Sequence, residues 1–193
     1  PCWNNVEMGM SREEAMAKLE DLEGYDIRLS DGLNDKSYIE LSTKTDQHLI
    51  TFYFKNNRLY GTKLRVGRYQ RLTLEQVIDL YGEPDAVLGE SVIHGLSSSF
   101  INVCYPEKGM EITFESRIKT YGPGRLLWLN KTTQVETINF FDPKDDTLER
   151  IEGYPCPGVP FPHYAISDWY GYGKYPSCVE DEYGSCIDMW ETN

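Results

Sequence analysis

Nowhere in the chain do apolar residues run on for the roughly 18 to 20 positions that a membrane-spanning helix requires, so no part of it is expected to insert into a bilayer. Basic side chains are scarce as well. Nineteen lysines and arginines stand against 31 aspartates and glutamates, and the resulting net charge of −12 repels phosphate backbones and anionic lipid headgroups. Nucleic acid is excluded as an expected partner. Also missing are a glycine-rich loop to cradle phosphate, the Gly-x-Ser-x-Gly of a nucleophile elbow and the Cys-x-x-Cys pair of a zinc knuckle. No cofactor is expected.

What is present is ordinary globular material. A chain of 193 residues, 40% hydrophobic and 26% charged, is long enough for one ample core or two small ones. It opens on Pro1-Cys2, which raises the expectation of a further segment upstream, such as a signal peptide or an anchor. Of the five cysteines, Cys156, Cys178 and Cys186 fall in a Pro-, Gly- and Tyr-rich tail with little regular backbone hydrogen bonding to order it. Such a segment is held more easily by cystines, which points to an oxidising, extracytoplasmic compartment. Cys178 with Cys186, or Cys156 with Cys178, would close short loops. Cys104 alternates with Ile101 and Val103 in a strand-like run and reads as a small buried hydrophobe.

Two short windows carry complete helix punctuation. In "GMSREEAMAKL" (9–19), Ser11 is placed as N-cap and Glu14 as its capping-box partner; Ala15, Leu19 and Leu22 share a face, and Gly24 supplies the stop. In "RLTLEQVIDLYGEP" (71–84), Thr73 and Gln76 take the cap and box positions. Leu74, Val77, Ile78 and Tyr81 form the stripe, Gly82 the turn, and Pro84 forbids continuation. Each reads as a helix of about three turns. Each is followed by strand-like hairpins, "LITFYF" and "LYGTKLRV" around Lys55 to Arg58, then "FINVCY" and "MEITFE" around Pro106 to Gly109. The two caps stand 62 residues apart, which suggests an internal duplication.

The expected fold is therefore α+β: two helix-plus-antiparallel-meander repeats, 1–67 and 68–142, with helices on one face of a curved antiparallel sheet. Further strands are expected within 124–130 and 134–141, the latter with Val135, Thr137 and Asn139 on one face. From 143 to 193, prolines 155, 157, 160, 162 and 176 exclude helix and central strand, so an irregular, disulfide-stapled wrap is expected.

These residues resemble a known pattern. Gly9-Met10-Ser11-x-x-Glu14-Ala15-x-x-x-Leu19 and Leu72-Thr73-x-x-Gln76-Val77-x-x-Leu80-x-Gly82-x-Pro84 are similar to the helix signature of the β-lactamase inhibitor protein family and of the small outer-membrane assembly lipoproteins. The resemblance implies a helical pair packed on a short curved sheet, present twice in tandem. Its motif consists of caps, stripe and stop, so it implies a fold and no target. The second copy has Arg71-Leu72 where Gly-Met would stand.

Candidate chemistry is thin. Cys156 and His163 could form a nucleophile and base, but no strand-to-helix elbow or orienting group accompanies them. Cys156, His163, Cys178 and Cys186 have zinc-ligand chemistry at spacings of 7, 15 and 8 residues, without a paired knuckle. Asp142, Asp145 and Asp146, like Asp31 to Asp35, lack the alternating ligands of a calcium loop. His48 and His94 are single histidines beside strands, and Asn130-Lys131-Thr132 matches a glycosylation acceptor formally. The positive signal is aromatic: Tyr164, Trp169, Tyr170, Tyr172 and Tyr175, with Tyr183 and Trp190 beyond, exceed what a proline-rich wrap needs to bury. Core packing is the competing use of those rings. The sequence thus points to a non-catalytic, extracytoplasmic module that binds a protein or peptide; a hydrolase with an unrecognised site and a structural envelope lipoprotein are the alternatives.

Overall fold

The computed structural model describes residues 2–32, 36–44, 49–66, 71–91, 98–117, 126–143 and 165–176. In chain order the elements are β1 (Cys2–Trp3), β2 (Val6–Glu7), α1 (Arg12–Leu19), β3 (Asp26–Asp31), β4 (Lys36–Ser42), β5 (Ile50–Lys55) and β6 (Arg58–Arg65). There follow α2 (Leu74–Tyr81), β7 (Ala86–Ser91), β8 (Ser98–Tyr105), β9 (Met110–Arg117), β10 (Leu126–Leu129), β11 (Val135–Phe141), β12 (Ala165–Asp168) and β13 (Gly173–Pro176).

Both helices begin as their sequences require. The Ser11 hydroxyl accepts the Glu14 amide at 3.2 Å while the Glu14 carboxylate accepts the Ser11 amide at 2.8 Å. At α2 the Thr73 hydroxyl accepts the Gln76 amide at 3.4 Å, and Gln76 returns the contact at 2.9 Å. Loss of the second cap in Thr73→Ala is expected to lower stability by about 1 kcal/mol, read as a shift of the urea midpoint at unchanged slope. The helices are shorter than expected, eight residues each. α1 ends at Leu19; Leu22 turns back through a hydrogen bond to the Leu19 carbonyl, and Gly24, at φ +86°, lies in the loop beyond. At α2 the chain does stop at Gly82, whose carbonyl accepts the buried Tyr105 hydroxyl at 2.9 Å.

The expected pair of helix-and-meander repeats is corrected. Strands dominate the architecture, and nine of them form one continuous antiparallel sheet in the order β12-β7-β8-β9-β11-β6-β5-β4-β3. The pairing of β6 with β11 runs the sheet straight across the proposed boundary, so two separate meanders are not evident. One row of directly opposed residues, Ile27, Leu41, Ile50, Leu64, Ile138, Ile112, Val103 and Val87, crosses eight strands on a single face. α1 packs Ala15 and Leu19 into the cluster at the β4–β5 end, and α2 packs Leu74 and Val77 into the cluster around β8, β9 and β11. On the opposite face the adjacent row reads Arg28, Glu40, Thr51, Lys63, Asn139, Glu111 and Cys104.

The poor alternation of 134–141 has a cause. A register shift between Val135 and Thr137 lets Val135 join Ile138 in the core while Thr137 and Asn139 face the other way. The tail is corrected too: within 143–193, β12 pairs with β7 at the sheet edge and β13 pairs with β10 as a separate ribbon. Pro176 is accommodated as the last residue of β13, in a two-stranded ribbon where one side of each strand needs no ladder partner. The expected disulfide staple of the tail is not evident. Cys156, Cys178 and Cys186 lie outside the described residues. Cys104 is fully buried but disulfide-bonded, and so is more than a small hydrophobe.

Candidate functional site

The ribbon of β10 and β13 and the loop before β13 gather the aromatic side chains. Register places Trp128 opposite Lys174 and Leu127 opposite Tyr175. Alternation then sends Leu129 and Tyr175 into the core, both fully buried, and leaves Trp128 63% exposed on the outer face.

Behind that face the rings form a continuous column. Tyr170 stacks on Tyr175 at 4.3 Å, Tyr175 lies nearly parallel to Trp169 at 5.9 Å, and Trp169 meets Tyr172 edge-on at 5.9 Å. Tyr175 is pinned from both sides: its hydroxyl donates to the Gly171 carbonyl at 2.7 Å and accepts the Tyr170 amide at 3.2 Å. The Tyr170 hydroxyl donates to the Lys174 carbonyl. A ring held this way loses little rotational freedom when something lands on it.

The column continues toward α2. Tyr172 lies close enough to Tyr105 to raise the proton affinity of that phenol, after burial and the Asp85 charge, and Tyr105 meets Tyr81 at 6.4 Å. Burial, then the negative charges of Glu75, Asp79 and Glu83, push the Tyr172 hydroxyl upward, opposed by Lys131. Glu75 holds Lys131 at 2.7 Å, and that hydrogen bond with its charge raises the lysine. Leu80 and Tyr81, at the exposed end of α2, complete the surface.

Of the rings singled out in the sequence, the structure assigns Tyr175 to the core and leaves Trp169 half-buried, with an indole N–H that has no acceptor. Tyr170 and Tyr172 are exposed, Tyr170 at 61%. Tyr164 lies outside the described residues, as do Tyr183, Trp190, His48, His94, His163, Asp145 and Asp146. Sequence reading missed Trp128, Leu80 and Tyr81. The signal for Trp128 was its place beside Leu129 in a strand, which marks the outward position once Leu129 faces in.

No protein-family model matches the chain, and no curated protein does. Among solved structures it is similar to an extracellular protein containing an SCP domain from Bacillus anthracis strain Ames, at 13% identity and a TM-score of 0.37. The match covers 86% of this chain and 53% of that one, so this chain spans about half the length of that protein. A superposition that loose assigns neither fold nor role, and it does not bear on the likeness to the inhibitor proteins.

Other candidates are less developed. Tyr38, Tyr53 and Tyr60 cluster on the sheet face away from the helices but are half-buried. No group of three or more metal-ligating side chains exists among the described residues. Asp31 is engaged by Arg12 at 2.6 Å. Asn130 is exposed in its turn, its side-chain carbonyl accepting the Thr132 amide at 2.9 Å. No helix among the described residues is long and apolar enough to cross a membrane.

Proposed function

We propose that this chain is a non-catalytic, extracytoplasmic binding module that engages a protein or peptide through the aromatic surface of the β10–β13 ribbon and the end of α2. The observation that carries this reading is the exposure of Trp128 and Tyr170, each more than 60%, with Tyr170 stacked on the buried ring of Tyr175. Large rings with few rotors, pre-ordered by packing, are the side chains that dominate interface energetics.

The test is a selection of random displayed peptides on the intact chain, run in parallel on a Trp128→Ala/Tyr170→Ala variant. Because Tyr170 also stacks on Tyr175, the variant's urea midpoint is measured first and Trp128→Ala alone is run beside it. Peptides enriched on the parent are expected to bind the variant about 30-fold more weakly, the effect of losing one interface hot spot of roughly 2 kcal/mol. Equal enrichment on both proteins would remove this surface from consideration.

A further inference from the structure

The same surface shows what kind of group its rings accept. Two of the three cation–π contacts among the described residues fall on its exposed rings: Lys131 lies 5.8 Å from the centre of Tyr172 and Lys174 5.5 Å from that of Trp128. These ammonium groups are the chain's own, on flexible and solvated stems, and each contact is worth about 0.5–1 kcal/mol at an exposed site. A guanidinium, flatter and more weakly hydrated, stacks better on an indole than an ammonium does.

Around Tyr172 the carboxylates outnumber the one lysine that acts on it. Along α2, Glu75, Asp79 and Glu83 all act on Tyr172. Glu75 is engaged by Lys131, whereas Asp79 and Glu83 make no ion pair among the described residues. The last turn of α2 has no basic residue, so the negative end of its dipole adds to their field. The whole chain carries −12.

Resting on the binding role given above, we propose that the partner is an arginine-bearing peptide segment. One guanidinium stacks on Trp128 in place of Lys174, and a second sits beside Tyr172 within the field of Asp79 and Glu83. Lys174 then acts as an internal competitor that is displaced on binding.

The probe is a fluorescein-labelled synthetic peptide of alternating arginine, proline and glycine, titrated into the intact chain by fluorescence anisotropy. A second peptide carries citrulline, the neutral isostere, at each arginine. The arginine peptide is expected to bind at least about tenfold more tightly than the citrulline peptide and to weaken as salt rises from about 50 to about 300 mM. Trp128→Ala, and separately Asp79→Asn/Glu83→Gln, should each weaken it about tenfold, while Lys174→Gln should tighten it severalfold. A control variant, Glu20→Gln/Glu23→Gln, removes two exposed carboxylates near α1 and should change nothing. Equal binding of the citrulline peptide, an equal loss in the control, or weaker binding by Lys174→Gln would overturn the proposal. If displayed peptides that depend on Trp128 carry no arginine, or if neutral sugars bind there independently of salt, the surface stands as a binding site and this partner chemistry falls.

Discussion

Gly109→Ala is expected to destabilise the fold by more than about 3 kcal/mol, the largest effect of any single methyl addition among the glycines with described surroundings. Gly109 closes the β8–β9 hairpin in the left-handed conformation, φ +62° and ψ +44°, after the Pro106–Lys108 turn. A side chain in that region costs roughly 1–2 kcal/mol even in open space. Here the space is filled: a Cβ would lie 2.1 Å from the Phe141 carbonyl oxygen and 2.9 Å from Pro143. The obstacle is backbone, held by the hydrogen bond from the Phe141 amide to the Gly109 carbonyl at 2.9 Å, so it cannot swing aside. Gly24→Ala separates the two contributions, because Gly24 has φ +86° and nothing within 4 Å of its Cβ position. Urea unfolding of both variants checks the account. Similar losses at the two sites would show that the clash at Gly109 is relieved and only backbone conformation matters.

The second large effect is a dependence of stability on pH that resides in one carboxyl group. Glu111 is 2% exposed on the sheet face away from the helices, between Asn139 on β11 and Cys104 on β8. Asn139 donates to one carboxyl oxygen at 3.3 Å; the other has no partner, nor does the side-chain carbonyl of buried Asn102 on β8. Burial raises Glu111 from 4.5 to about 7, against the opposing influences of the Asn139 hydrogen bond and the Lys63 charge from β6. The folded protein therefore holds this proton more tightly than the unfolded chain does. The stability linked to it is complete below about pH 4.5, falls as pH rises toward 7 and is gone above that. The loss amounts to a few kcal/mol across the window. Glu111→Gln, uncharged at every pH, should match the parent near pH 5 and exceed its stability by a few kcal/mol near pH 8. A stability difference between the two proteins that stays constant from pH 5 to pH 8 would rule this out.

How much was legible depended on the range of the interaction. Capping boxes at Ser11 and Thr73 were readable because a hydroxyl and an acceptor three residues apart answer each other within one turn. The hairpin at Asn56 and Asn57 was readable for the same reason, since asparagine accepts the φ of +50° and +60° found there. The length of α1 was not. The periodic face extends to Leu22, but tertiary packing takes Leu22 into the cluster from a turn instead of a third helical turn. Nor was the aromatic surface: Tyr175 and Tyr170 stand five residues apart in one segment of similar composition, yet one is core and the other is exposed. That division was decided by the pairing of β13 with β10, which also turned Trp128 outward.

The sequence by itself determined where helices start, where α2 stops, where two tight hairpins turn and that the runs beside those hairpins extend, because each of those outcomes is settled among neighbouring residues; it did not mark β3, β4 or β7. Tertiary structure alone decided that β6 meets β11, that a stretch of the proline-rich tail supplies an edge strand, and that Glu111 is enclosed while Lys63, on the same face two strands away, reaches solvent. Those outcomes depend on contacts between residues dozens of positions apart, and the apolar pattern that drives burial marks which face is hidden without saying which strand will lie beside it.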